Sequence, residues 1–464
     1  MKSILNTFAN CFKIPELKSR IVFTILILAV CRVVALIPIP GLDGALLSEF
    51  FQNNANRTGG LLGMYSMFTG GALEKCAIGS LGIMPYISAT IIIQLLGAVV
   101  PQLSKLMREE GGRTKIVQYG RYLTVLLCLG QGFVMALGWE NPQKLFGEGF
   151  NGNLVLLENA WWYRIQTVLV LTTGTMLLMW LGEQITDRGI GNGVSLVITI
   201  GIISRLPQAA VSAWMMFFPP RGAEANFNLF HFIALLLLLV AVVAAIIAVT
   251  QAQRKIPVQY AQRAVGRKVY SGGTSFMPLR VNYAGVMPII FAQAILMFPG
   301  KILGVLASIT AGSMSGLSKV LQTAAAALQH GTATYLTVEG LMILFFSYFW
   351  VATQFNEIQI ADDLKKYGGY IPGVRPGQAT SDFLHRAMSR ITLAGAIFLV
   401  IIAIIPTLMF QMAGVPFEVG QFFGGTSMLI CVGVVLDTTR QMESHLLMRH
   451  YDGFLKKGRI RGRF

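Results

Sequence analysis

The sequence predicts an all-α polytopic membrane protein with ten transmembrane helices, and three observations predict it. Of 464 residues, 54% are hydrophobic and only 12% are charged, where a soluble domain carries about 25% charged residues. Windows that stay apolar for about 20 residues, the length that crosses a bilayer core, recur along the chain. Lysines and arginines gather in alternate connections between those windows. As a soluble globule, such a chain would leave its apolar faces without a water-shielded partner.

The first span is predicted at 21–40. Lys13, Lys18 and Arg20 lead into it, and no short apolar stretch with a small-residue cleavage site precedes it, so it reads as an uncleaved helix. Hydropathy places the rest at 76–100, 119–138, 165–183, 193–213, 229–250, 283–304, 336–355, 391–411 and 420–438. The N-terminal tail, the loops that follow even-numbered spans and the C-terminal tail hold 28 of the 37 basic residues. Basic residues favour the cytoplasmic side, so both termini are predicted inside. The net charge of +16 mostly restates this bias.

Two loops on that side are long and basic. Residues 251–281 carry Arg254, Lys255, Arg263, Arg267, Lys268 and Arg280, and their alternating polar and β-branched stretches predict a hairpin. Residues 356–390 carry Lys365, Lys366, Arg375, Arg386 and Arg390. A charged loop often serves only as a solvated orientation signal, but length beyond a tight turn favours a docking surface. On the opposite side, residues 60–71 (GLLGMYSMFTGG) are apolar, lie between the glycine pairs Gly59–Gly60 and Gly70–Gly71, and are too short to span. They read as a surface loop or as a short helix tucked into the mouth of the bundle.

Signals for covalent chemistry are weak throughout. The chain has no phosphate loop of the G-x-x-x-x-G-K-[ST] type, and RGIGNG (188–193) follows no predicted strand. His231, His330, His385, His445 and His450 make no metal-ligand pattern, and Cys11, Cys31, Cys76, Cys128 and Cys431 make no disulfide framework. Neither a cofactor nor a metal is expected. Ionisable residues inside the spans are read as few: Arg32 in the first span, with Glu183 and Asp437 near span ends. A coupled solute transporter needs buried carboxylates near the midplane, so this scarcity counts against that class. An intramembrane enzyme needs a nucleophile, an acid pair or a metal, and the sequence offers none.

The motifs IPIPG (37–41), LGIMPYISATIIIQLL (81–96), GRTKIVQYGRYLTV (112–125), LGEQITDRGIGNGVSL (181–196), QRKIPVQYAQRAVGRKVY (253–270), PLRVNYAGVMPIIFAQ (278–293), ADDLKKYGGYIPGVRPG (361–377) and FGGTSMLICV (423–432) resemble, in that order and over nearly the whole chain, the SecY family of bacterial pore-forming translocase subunits. That resemblance implies two pseudo-symmetric, inverted five-helix halves, 1–215 and 216–464, around a central pore. It implies a channel that passes unfolded preproteins and releases apolar segments sideways into membrane lipid, with no enzymatic step. The implied partners are SecE, SecG, the motor ATPase SecA, the ribosome and signal peptides, at the cytoplasmic (inner) membrane.

By the same resemblance the pore ring would be Ile87, Ile91, Val194, Ile198, Ile290 and Ile430. On their own these positions read as ordinary core or lipid-facing residues. The plug would be 60–71, with Leu61, Leu62, Met64, Tyr65, Met67 and Phe68. The lateral gate would lie where the second and third spans meet the seventh and eighth, with Gln94, Gln131 and Asn282 as candidate polar contacts. Motor and ribosome docking would use Arg254, Lys255, Arg263, Arg267, Lys268 and Arg375, the last flanked by Pro372 and Pro376. Glu357 and Asp363 depart from the family pattern, which has a proline and an asparagine there.

Overall fold

A computed structural model describes residues 14–53, 61–109, 111–142, 150, 152–218, 229–260, 263–265, 268–270, 273–310, 315–328, 331–413, 415, 419–420, 422 and 425–457. The chain divides into two compact units. One takes Met1–Gly222, Pro416–Val419 and Ile430–Phe464; the other takes Ala223–Val415 and Gly420–Leu429.

In the first unit, helix α1 (Pro15–Val34) starts with a proline at its first position, where the missing N–H leaves nothing unsatisfied. Pro38 and Pro40 then hold the chain extended. The Ile39 N–H donates to the Cys76 carbonyl and the Ile78 N–H to the Ile37 carbonyl, both at 2.9 Å, while Asp43 N–H reaches the Leu154 carbonyl at 2.9 Å. The Asp43 carboxylate accepts from the Ala45 N–H at 3.0 Å at the start of α2 (Gly44–Asn53). Short helix α3 spans Leu61–Phe68. The second predicted span is corrected at its start: residues 69–83 form turns, and helix α4 runs Met84–Val99, opening at Pro85.

Helices α5 (Pro101–Arg108), α6 (Gly112–Glu140) and α7 (Ala160–Arg188) follow. The fifth span is two helices, α8 (Gly193–Ile203) and α9 (Leu206–Phe217), broken at Ser204–Arg205. Pro207, in the first turn of α9, cannot donate into a continuous helix. Helix α7 packs on α6, α8 and α1, and α8 also touches α3. Gly174 on α7 lets another backbone in: a Cβ there would lie 2.3 Å from the Ile78 carbonyl oxygen.

In the second unit, α10 (Leu229–Gln251) leads into the predicted hairpin. Strand β1 (Gln253–Tyr260) pairs antiparallel with β4 (Thr274–Arg280), from Gln253 opposite Arg280 to Gln259 opposite Thr274. Between them β2 (Arg263–Val265) pairs with β3 (Lys268–Tyr270). Helices α11 (Met287–Thr310), α12 (Ser315–Ala327), α13 (Ala333–Gln354) and α14 (Glu357–Lys366) come next. Strand β5 (Gly369–Tyr370) then adds to the free edge of β1, so both long loops share one sheet, ordered β4-β1-β5. Helix α15 (Gln378–Ala413) follows, and the last helix, α16 (Thr426–Lys457), starts in this unit and belongs to the first unit from Ile430 on.

Among the described residues six helical stretches, with α8–α9 and α13–α14 each counted as one, are long and apolar enough to cross a bilayer, and α4 and α11 carry shorter apolar windows, Met84–Gly97 and Met287–Leu296. Helices α1 and α16 occupy the first and tenth predicted positions.

The close approach at Gly174 gives a test. Gly174→Ala is expected to cost about 1–3 kcal/mol, the range for forcing atoms into a filled site. It should lower the thermal midpoint of the detergent-purified protein, while Gly130→Ala, whose Cβ would meet open space, should not.

Candidate functional site

The short helix α3 ends in a left-handed turn. Gly70 has φ +64° and Gly71 φ +85°. The Gly71 N–H donates to the Ser66 carbonyl at 2.8 Å and the Gly70 N–H to the Met67 carbonyl at 3.1 Å. These two bonds are the Schellman pattern, which satisfies the last carbonyls of a helix. Tyr65, Ser66 and Met67 are buried, and Phe68 is half-buried.

Charged side chains from two spans hold that turn. Arg32, near the end of α1, donates from Nη1 to the Gly70 carbonyl at 3.2 Å. Arg205 sits at the break between α8 and α9, where its Nη2 meets both the Glu74 carboxylate and the Ser66 hydroxyl. Its Nη1 donates to Gln208 Oε1 at 2.6 Å. The Ser66 hydroxyl in turn donates to Glu74 Oε1 at 2.7 Å. A small crevice beside α3 is lined by Cys31, Arg32, Phe68, Thr69, Ile83 and Val197.

The other residues proposed from sequence fall as follows. Leu61, Leu62 and Met64 lie on α3, while Gly59, Gly60 and Arg267 lie outside the described residues. Ile87 and Ile91 are buried on α4, one helical turn apart and so on one face. On α8, Val194 is half-buried and Ile198 buried; Ile430 is fully buried on α16. These five belong to the first unit and buried Ile290, on α11, to the second. Gln94 on α4 and Gln131 on α6 are half-buried, and Gln94 Oε1 is buried with no partner among the described residues. Asn282, in the second unit, lines a crevice with Ser347, Thr392 and Gly395.

Among the docking candidates, Arg254 and Lys255 are exposed on β1, Arg263 lies on β2 and Lys268 on β3. Arg375 is exposed in the turn after β5, and its carbonyl accepts from the Thr380 hydroxyl at 2.9 Å. Where the family pattern has a proline, Glu357 starts α14: Asn356 Oδ1 accepts from the Gln359 N–H at 3.2 Å, and Glu357 Oε1 lies 2.9 Å from His385 Nδ1 on α15. An acid in the first turn suits the helix dipole, so this helix starts without its proline.

Glu339 corrects the expectation that the spans hold almost no carboxylates. It is buried in α13, 2% exposed, where Gln293 Nε2 lies 3.4 Å from both its Oε1 and Thr426 Oγ1. Sequence reading also passed over Glu74 and Arg205. The signal was present for both span residues, since a charge inside an apolar run is by default worth a functional question; Glu74 follows directly on GGAL (70–73).

The SecY family model matches residues 77–439. The chain belongs to the SecY family. Protein translocase subunit SecY of Thermotoga maritima is 42% identical over 461 residues, covering 98% of this chain and 99% of its own. That of Chlamydia trachomatis is 40% identical over 469 residues, covering 98% and 99%. Among solved structures, one described as showing that the SecY plug domain stabilises the closed translocation channel has a TM-score of 0.57 at 18% identity, covering 95% and 97%. Sec61 in the canine ribosome–channel complex has a TM-score of 0.53 at 16% identity, covering 94% and 96%. Both likenesses are of fold. SecY is a family of translocation channels, not of enzymes, so the chain is a multi-pass membrane subunit of a protein-conducting translocon.

The Schellman turn is testable. Gly70→Val would force a side chain into a left-handed conformation with its Cβ 2.9 Å from the Gly201 Cα. Amide hydrogen exchange over residues 66–71 is expected to rise at least about tenfold, about 1.4 kcal/mol of lost local stability.

Proposed function

We propose that α3 and its turn, residues 60–71, are the plug of this channel. In that reading the chain passes unfolded secretory polypeptides across the cytoplasmic membrane and lets apolar segments leave sideways into lipid. The observation that carries it is the burial of a helix too short to span. Eight residues rise only about 12 Å, yet Tyr65, Ser66 and Met67 are buried and the helix end is tied to two different spans.

The passage itself is bordered by Ile87, Ile91, Val194, Ile198, Ile290 and Ile430. Branched apolar side chains dewet a constriction against ions and still yield to a moving chain. The two halves, 1–215 and 216–464, part at a lateral gate where Gln94, Gln131 and Asn282 supply polar contacts. SecE and SecG accompany the chain in the membrane of a bacterium, with both termini cytoplasmic, as the distribution of lysine and arginine supports. SecA and the ribosome dock on the two basic loops, using Arg254, Lys255, Arg263, Arg267, Lys268 and Arg375.

Two experiments test this reading. In the reconstituted complex, wild type is expected to be ion-tight at rest and a variant lacking residues 60–71 to flicker open; equal silence of both, even with an engaged preprotein, would remove the plug assignment. Arg375→Glu is expected to cut SecA-driven export at least about tenfold, as when one charge of a close interfacial pair is lost, while the resting channel stays tight. Export at the wild-type rate would take Arg375 out of the docking surface.

A further inference from the structure

We propose that Glu74 and Arg205 form an electrostatic latch that holds α3 in its seat and sets how readily the channel opens. The inference rests on α3 being the plug. Glu74 lies on the buried segment that continues from α3, and Arg205 lies at the break in the fifth span, so their pairing ties a short helix to the bundle. Ser66, on α3 itself, hydrogen-bonds to both charged groups. Gln208 fixes the far side of the guanidinium. Gly71 makes room for it: a Cβ there would lie 3.1 Å from Arg205 Nη2 and 3.2 Å from its Nε.

The side chains of Arg205 and Glu74 are 12% and 15% exposed. In such surroundings a pair attracts more strongly than on an open surface, and removing one partner leaves an uncompensated, poorly solvated charge. Arg32 makes the arrangement asymmetric. It holds the Gly70 carbonyl and feels the charge of Arg205. With Glu74 neutralised, two guanidiniums would repel beneath one turn. With Arg205 neutralised, no second guanidinium faces Arg32, and that repulsion is absent.

A latch of this kind suits a moving part. Helix α3 is eight residues long and its long-range packing runs chiefly to α8. An ion pair can break there without a core being unpacked, as expected of an element drawn from the low-stability end of a fold. Glu74 and Arg205 are positioning residues, since they act on the opening through α3.

The test measures resting ion conductance of the full chain with its membrane partner subunits in planar bilayers. Glu74→Gln is expected to leak at least about tenfold more than wild type and Arg205→Gln about threefold, from one uncompensated charge in a partly buried site. The exchange Glu74→Arg with Arg205→Glu should return the leak to within about twofold of wild type. Thermal midpoints within a few degrees of wild type would separate latch loss from misfolding. Should Glu74→Gln not fold, Glu74→Asp, which keeps the charge but lengthens the gap, should leak between wild type and Arg205→Gln.

Deletion of 60–71 distinguishes the two ways of failing. If the deletion leaks and the single variants stay tight, the latch is wrong and the plug reading stands. If the deletion is as tight as wild type, both fall. If the single variants leak and the exchanged pair leaks equally, the residues act by shape, and the electrostatic latch is overturned.

Discussion

A buried backbone must still satisfy its N–H and C=O groups, and the stretch from Thr69 to Ile83 is non-helical and almost entirely buried. Many of its donors bond within the segment or just before it. Gly70, Gly71 and Ala72 bond back to Met67, Ser66 and Thr69; Ala77 bonds to Ala72, Ser80 to Ala77 and Gly82 to Gly79. The Ser80 hydroxyl adds a bond to the Ala72 carbonyl at 3.0 Å. What the segment cannot supply itself comes from the IPIPG stretch, which two prolines keep extended so that Ile37 and Ile39 can pair with Ile78 and Cys76. Gly174 on α7 admits the Ile78 carbonyl from the other side. The short helix α3 hangs from this frame, so its seat is only as fixed as these bonds are.

Arg205 reaches the frame because of one proline. Pro207 ends the first half of the fifth span, and the break leaves Arg205 at a helix junction rather than midway along a continuous helix. From that junction its guanidinium reaches Glu74 and Ser66. The second unit handles polarity differently. Gln293 on α11 is linked by hydrogen bonds at 3.4 Å to Glu339 on α13 and to Thr426, and Glu339 has no basic partner among the described residues. One arrangement joins a short element to its surroundings; the other lies between α11 and α13, two long helices that pack on each other.

Hydropathy made the long spans legible, because a bilayer demands length and apolarity together. The same signal misplaced the start of the second span, since residues 76–83 are apolar whether they turn or coil; the Met84–Pro85 pair was the better marker. Alternation revealed the β1–β4 hairpin, whereas β5, two residues long, is too short to show a period. The ring positions could be reached only through motif resemblance, for Ile87 and Ile198 look like any buried aliphatic residue. Arg205, Glu74 and Glu339 were visible as charges in or beside apolar runs. Their partners lie far off in sequence, 131 positions apart for Arg205 and Glu74, and spacing alone does not connect such pairs.

The shared sheet changes how the two basic loops should be understood. Ile256 and Val258 on β1, Leu279 on β4, Ile371 just past β5, and Leu384 and Met388 on α15 form one buried cluster with Val351 and Phe355 at the end of α13. The basic residues of β1 and the turn carrying Arg375 therefore belong to a single packed body, not to two independent flexible loops. Because β-strand side chains alternate, the residues that bury Ile256 and Val258 necessarily turn Lys255 and Pro257 outward. Val374, next to Arg375, packs against the same cluster. A force applied to the exposed arginines would thus pass through apolar contacts into the ends of α13 and α15, both long enough to cross a bilayer. A floppy loop would dissipate that force as chain entropy; a packed platform continuous with two spans delivers it to the membrane.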